Sequence, residues 1–153
     1  MSEEMQAAVA EALSGIEQRH GGPFGAVVVR DGRVVARGHN RVVTHNDPTA
    51  HAEIVAIRDA CRTMGTFDLE GCELYTTCEP CPMCYAAAWW ARISVIHYGC
   101  SRYDAADIGF DDAAIYADLE GRSERRITMV QEDREACLVP MRRWRDRPDR
   151  VPY

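Results

Sequence analysis

The sequence predicts an α/β protein, a three-layer α/β/α sandwich around a mixed sheet of about five strands. Three observations carry that expectation. Two short β-prone segments flank Asp31-Gly32, the strongest local hairpin signal. Strand-like and helix-like segments then alternate to the end of the chain. A 3.6-residue apolar period opens it, through Met5, Ala8, Val9, Ala12, Leu13 and Ile16.

Each element has its local reason. Ser2 caps the first helix, and Gly21-Gly22-Pro23 ends it. The hairpin pairs Ala26 to Val29 with Arg33 to Ala36. A loop from Gly38 to Thr49 follows, with Asn46-Asp47-Pro48 as turn and helix entry. Ala50 to Met64 reads as a second helix stopped by Gly65. Glu73 to Thr77 is a short strand, and Pro82 opens a helix running to about Ala91, because proline suits the first turn. Ile93 to Tyr98 is a further strand. Asp111 to Leu119 reads as a helix, Ile127 to Val130 as a last strand, and Glu135 to Trp144 as a final helix. No repeat or linker-like stretch divides the chain, so residues 1–153 are expected to form one domain.

Composition narrows the chemistry. All 18 basic residues are arginine, which excludes Schiff-base lysine enzymes, phosphate loops of the Walker type and kinases. No G-x-S-x-G occurs, so the common serine-hydrolase elbow is out. A net charge of −6 argues against a nucleic-acid partner, since such proteins carry a basic footprint. The longest apolar run, Tyr85 to Ala91, is too short to cross a membrane. The N-terminal residues lack the basic start of a secretory signal. Seven cysteines, an odd number, read as reduced thiols and place the protein in the cytoplasm.

Two segments carry the chemistry: His51-Ala52-Glu53 and Pro80-Cys81-Pro82-Met83-Cys84. Alone, the first is weak and the second is divided between zinc and redox roles. Together they offer one imidazole, two thiolates and a carboxylate, each at a helix start. Imidazole plus thiolates suit zinc, and three protein ligands leave the open position of a catalytic site. Helix N-termini favour the thiolate forms and an anionic centre. Glu53, two residues from His51, can reach the same axial end without ligating. A carboxylate there is placed as a proton shuttle for a metal-activated water.

H-x-E with P-C-x-x-C is the signature of the zinc deaminases. The chain resembles the cytidine-deaminase-like zinc deaminase superfamily, and within it the bacterial guanine deaminases. The carrying segments are Gly22 to Ala26, Asn46 to Glu53, Cys78 to Cys84 and Gly109 to Asp112, with Tyr153 at the end. The resemblance implies a cytidine-deaminase-like fold and zinc held by His51, Cys81 and Cys84. It implies catalysis by Glu53 as general acid/base, with Asp112 as a second carboxylate. It implies substrate contacts at Phe24 as a stacking ring, Asn40 on the purine edge, Ala52, Trp90 as a pocket wall and Tyr153 as a closing ring. It also implies a homodimer in which the C-terminal segment, about 132–153, is exchanged between subunits. Tyr85, Trp89 and Cys100 to Tyr103 depart from the guanine branch, which bears on the substrate more than on the reaction.

Plainer readings stand beside these. Cys78, Cys81 and Cys84 could form a closed structural zinc or iron–sulfur site, but that leaves His51 and Glu53 unexplained. Cys78 as a fourth ligand would fill the water position, so it reads as a buried neighbour. Cys61, Cys72, Cys100 and Cys137 read as small core residues. His20, His39, His45 and His97 lack partners at metal spacing. The expected function is hydrolytic deamination of a free nucleobase, guanine first. The alternatives are another aminated purine, pyrimidine, s-triazine or nucleoside. Adenosine in transfer RNA and a structural metal module rank below these.

Overall fold

The computed structural model describes residues 1–110, 112–123 and 126–152. Its elements are α1 (Glu3–Glu17), β1 (Gly25–Arg30), β2 (Arg33–His39), α2 (Val42–His45), α3 (Ala52–Met64), β3 (Cys72–Cys78), α4 (Pro82–Trp90), β4 (Val95–Cys100), α5 (Arg102–Asp107), α6 (Asp112–Leu119) and α7 (Arg134–Arg145). Ser2 accepts a hydrogen bond from the Met5 backbone N–H at 3.2 Å and so caps α1. Asp31 and Gly32 both take positive φ, 51° and 70°, as the tight hairpin turn requires.

The sheet order is β2-β1-β3-β4. β1 pairs antiparallel with β2 and β3, and β3 pairs parallel with β4 across the α4 crossover. β1 therefore sits inside the sheet, and Gly25 to Val29 are wholly or almost wholly covered. On one face Ala8 of α1 packs against Val27 and Val29. On the other, Ala52, Ala56 and Ala60 of α3 and Ala88 of α4 pack against Ala26, Val28 and Leu74. The small side chains on α3 bring its backbone close to the sheet, and Gly38 on β2 completes the approach. The three-layer expectation is met.

The fifth strand is not. Residues 127–130 form no strand, and Ile127, Met129 and Val130 are 70–79% exposed. β-Propensity reflects fit to a half-buried pleated surface, and this segment lies on none. Two short helices went unread, α2 and α5. Both are shorter than two turns, too short for an apolar period. α5 did carry a signal, the capping box Ser101 to Asp104. α7 lies where a last helix was expected, but only Leu138 along it is even half-buried, and Pro140 interrupts its hydrogen-bond ladder. Among the described residues, no helix is long and apolar enough to cross a membrane.

Candidate metal centre and its cavity

α3 and α4 bring their N-termini to one place. His51 is the residue capping α3, with extended φ/ψ of −67°/157°, and Cys81 caps α4 in the same conformation, −65°/166°. Pro82 follows at the first helical position, where its missing N–H costs nothing. Cys84 stands three residues into the first turn, on the side to which a cap side chain turns back. That is the geometric reason for the C-x-x-C spacing.

His51 Nδ1 lies 3.6 Å from Cys81 Sγ and 3.6 Å from Cys84 Sγ. The three ligating atoms all fall within 4.8 Å of one another. A tetrahedral zinc with ordinary Zn–N and Zn–S bonds places N and S about 3.6 Å apart, so the trio fits that ion. Its electrostatics match. A hydrogen bond from Cys84 pulls the Cys81 thiol down to about 4, with His51 helping. The same bond, with burial, holds Cys84 protonated, and Cys81 in turn raises His51. The trio thus shares protons that a divalent cation would displace.

Cys78 stands apart. Burial pushes its thiol up to about 11, and its Sγ lies 3.5 Å from the Ser101 carbonyl oxygen. It belongs to the wall and not to the trio. Glu53 is 6% exposed, and burial raises its carboxyl to about 7. A carboxyl so placed can both take and give a proton near neutral pH.

His51, Cys81 and Glu53 line a cavity of about 260 Å³, with Cys78 in its wall. Phe24, Asn40 and Asp112 line it as well, with Val42, Val43 and Phe110 completing the walls. Phe24 and Phe110 meet edge to face, centroids 4.9 Å apart at 85°. Asn40 is 4% exposed, and its Oδ1 accepts from the backbone N–H groups of Gly22 at 3.1 Å and Val42 at 3.2 Å. Only its amide nitrogen is left for a ligand.

Two expected contacts, Trp90 and Ala52, lie outside the lining. Trp90 is 62% exposed at the far end of α4 and is not among the residues lining the cavity within one chain. Phe110, Val42 and Val43 line it there. Ala52 is wholly buried in the α3–sheet core, outside the lining. Tyr153 lies outside the described residues.

Sequence reasoning missed the support behind Cys81. Arg102 donates to Glu79 through both its backbone and its guanidinium and lies 3.9 Å over the Tyr116 ring. Tyr116 donates to the Pro80 carbonyl at 3.0 Å. The segment entering α4 is thereby held from two sides. No periodicity links residues 79, 102 and 116, so only the fold reveals the set.

The model of the cytidine and deoxycytidylate deaminase zinc-binding region matches residues 1–100. A guanine deaminase of Bacillus subtilis is 45% identical over 150 residues, covering 97% of this chain and 96% of that protein. A tRNA-specific adenosine deaminase of Agrobacterium fabrum is 53% identical over 95 residues, 62% of each chain. Among solved structures, the Bacillus subtilis guanine deaminase superposes with a TM-score of 0.93 at 44% identity, covering 100% of this chain and 99% of that one. A guanine deaminase of Nitrosomonas europaea gives 0.68 at 34% identity, covering 71% and 63%.

Proposed function

The chain belongs to the cytidine and deoxycytidylate deaminase zinc-binding family, and from that premise we propose that it hydrolyses guanine to xanthine and ammonia. The observation that carries the proposal is Glu53, buried beside the His51–Cys81–Cys84 trio on the floor of an aromatic-walled cavity. Likeness to the Bacillus subtilis guanine deaminase runs almost the full length, whereas likeness to the Agrobacterium fabrum tRNA deaminase covers 62% of the chain. The charge of −6 also disfavours an RNA substrate.

His51, Cys81 and Cys84 would hold zinc, which when bound acidifies water and polarises the reacting centre. Glu53 accepts a proton from the attacking water as the new C–O bond forms at C2 of the base. It passes that proton to the ring nitrogen, then carries the proton of the new hydroxyl to the departing amine as the C–N bond breaks and the C2 carbonyl forms. Asp112 faces the base's polar edge as the second carboxylate. Phe24 stacks on the ring, and the Asn40 amide nitrogen donates to the purine edge. Water, base, xanthine and ammonia balance without a further reactant.

We also propose a homodimer in which the segment of about 132–153 crosses to the other subunit and lays Tyr153 over its cavity. The exposed length of α7 and the exposed Tyr85, Trp89 and Trp90 on α4 support this. Seven free thiols support a reducing, cytoplasmic location.

Ammonia release from guanine, adenine, cytosine, guanosine and an aminated triazine tests the reading. Guanine turned over fastest is the expected result. Preference for any other base would move the substrate while keeping the reaction. Silence on all five at full zinc occupancy would remove the enzyme reading.

A further inference from the structure

Three titratable side chains outside the metal trio form one hydrogen-bonded line. Glu11 Oε2 is 3.0 Å from His39 Nδ1, and His39 Nε2 is 2.8 Å from His20 Nδ1. His39 is 4% exposed. Its ring lies in a seat that α1 leaves open, because a β-carbon on Gly15 would sit 2.9 Å from His39 Cδ2. The line ends at His20, two residues before Gly22 of the cavity wall. The His20 carbonyl accepts from the Thr44 N–H at 3.1 Å. At the next residue, Gly21, a β-carbon would overlap Asn40 Oδ1, and Gly22 donates to that oxygen. Asn40 itself follows His39 in the chain.

We propose that Glu11, His39 and His20 are positioning residues for Asn40, so that the protonation of the imidazole pair sets how well the cavity holds its base. The proposal rests on Asn40 as a base contact. Counting protons gives the mechanism. With both rings neutral, His39 Nδ1–H donates to Glu11, and His39 Nε2 accepts from His20 Nδ1–H. One added proton goes to His20 Nε2 and leaves both bonds intact. A second, on His39 Nε2, sets two N–H groups head to head at 2.8 Å, and the line breaks. Glu11 faces His39 from α1, and Arg41 and His45 face His20 from the segment after β2. Burial first, then the neighbouring His39, Arg41 and His45, holds the His20 imidazole below its usual range.

The test uses the zinc-loaded enzyme, its Glu11→Ala and Glu11→Gln variants, guanine as substrate, and amide hydrogen exchange at residues 20–25 and 40–44. Glu11→Ala should raise KM roughly tenfold and leave kcat within about twofold, the pattern of lost ground-state binding. Exchange at Gly22 and Val42 should quicken with it. Glu11→Gln keeps a hydrogen-bonding group but removes the countercharge. The pH at which KM climbs on acidification should therefore fall by roughly one unit, a shift that a merely structural role would not produce. Unchanged KM and exchange in folded Glu11→Ala would overturn the proposal. If that variant does not fold, an unshifted KM profile in Glu11→Gln overturns it instead. If the parent enzyme does not act on guanine, the proposed function fails by itself, and the exchange measurements still decide the relay.

Discussion

Gly38 on β2 lies so close to Ala52 on α3 that a β-carbon there would sit 2.5 Å from the Ala52 carbonyl oxygen. Ala52 stands between His51 and Glu53, so this approach fixes the depth at which those two side chains enter the site. Gly38→Ala has no flexible neighbour to push aside, because the Ala56 backbone nitrogen would be 2.6 Å away as well. Chemical denaturation should show a loss of about 1–3 kcal/mol, the usual cost of overpacking, with kcat falling more than an equally destabilising change on α1.

One zinc per chain is expected, on one imidazole and two thiolates. Metal analysis and X-ray absorption check this. Cys81→Ser and Cys84→Ser should each lose zinc and lower Tm, because part of the folding free energy is metal binding. Removing zinc with a chelator should abolish turnover, and added zinc should restore it. Four sulfur ligands or an iron–sulfur spectrum would contradict the site.

Glu53→Gln should keep zinc and fold but lose at least about 10²–10⁴-fold in kcat, because an amide cannot carry protons between water, ring and amine. Near-normal turnover at full zinc occupancy would assign the base elsewhere.

The pH profile follows from the same residue. Burial lifts the Glu53 carboxyl to about 7 from an ordinary 4.5. Only the ionised form can accept the proton of water. kcat/KM should therefore rise with pH through about 7 and fall on acidification, well above the range of a free carboxylate. An acid limb near pH 4 would show that Glu53 is not the group being titrated.

Deleting Tyr153 should sharply lower activity without unfolding the protein. If the tail is exchanged, mixing that chain with Glu53→Gln should restore activity, because one hybrid site has both an intact Glu53 and a donated ring. No recovery after verified subunit exchange would mean that each tail closes its own site.

How far the sequence reached depended on the range of each interaction. The hairpin at Asp31-Gly32, the Ser2 cap and the zinc-binding helix starts are local, so a few neighbouring residues announce them. Which face of α4 turns inward is not legible, because Tyr85 to Ala91 is apolar throughout and periodicity then names no inner face. The Glu11–His39–His20 line joins residues 19 and 28 positions apart, and nothing short of the folded backbone brings them together. The strand expected at Ile127 to Val130 failed for the same reason. Strands need partners, and composition does not supply one.

If Asn40 meets the base as proposed, the two backbone N–H groups on its Oδ1 also set what the cavity refuses. The amide cannot turn over without stranding Gly22 and Val42, at about 1–3 kcal/mol per unmet donor. A competitor that brings an amino group to that edge therefore meets donor against donor, however well its ring suits Phe24 and Phe110. With Asn40 as the proposed contact, rival bases of equal size and flatness would be sorted by the sign of a single hydrogen bond, with keto edges admitted and amino edges turned away.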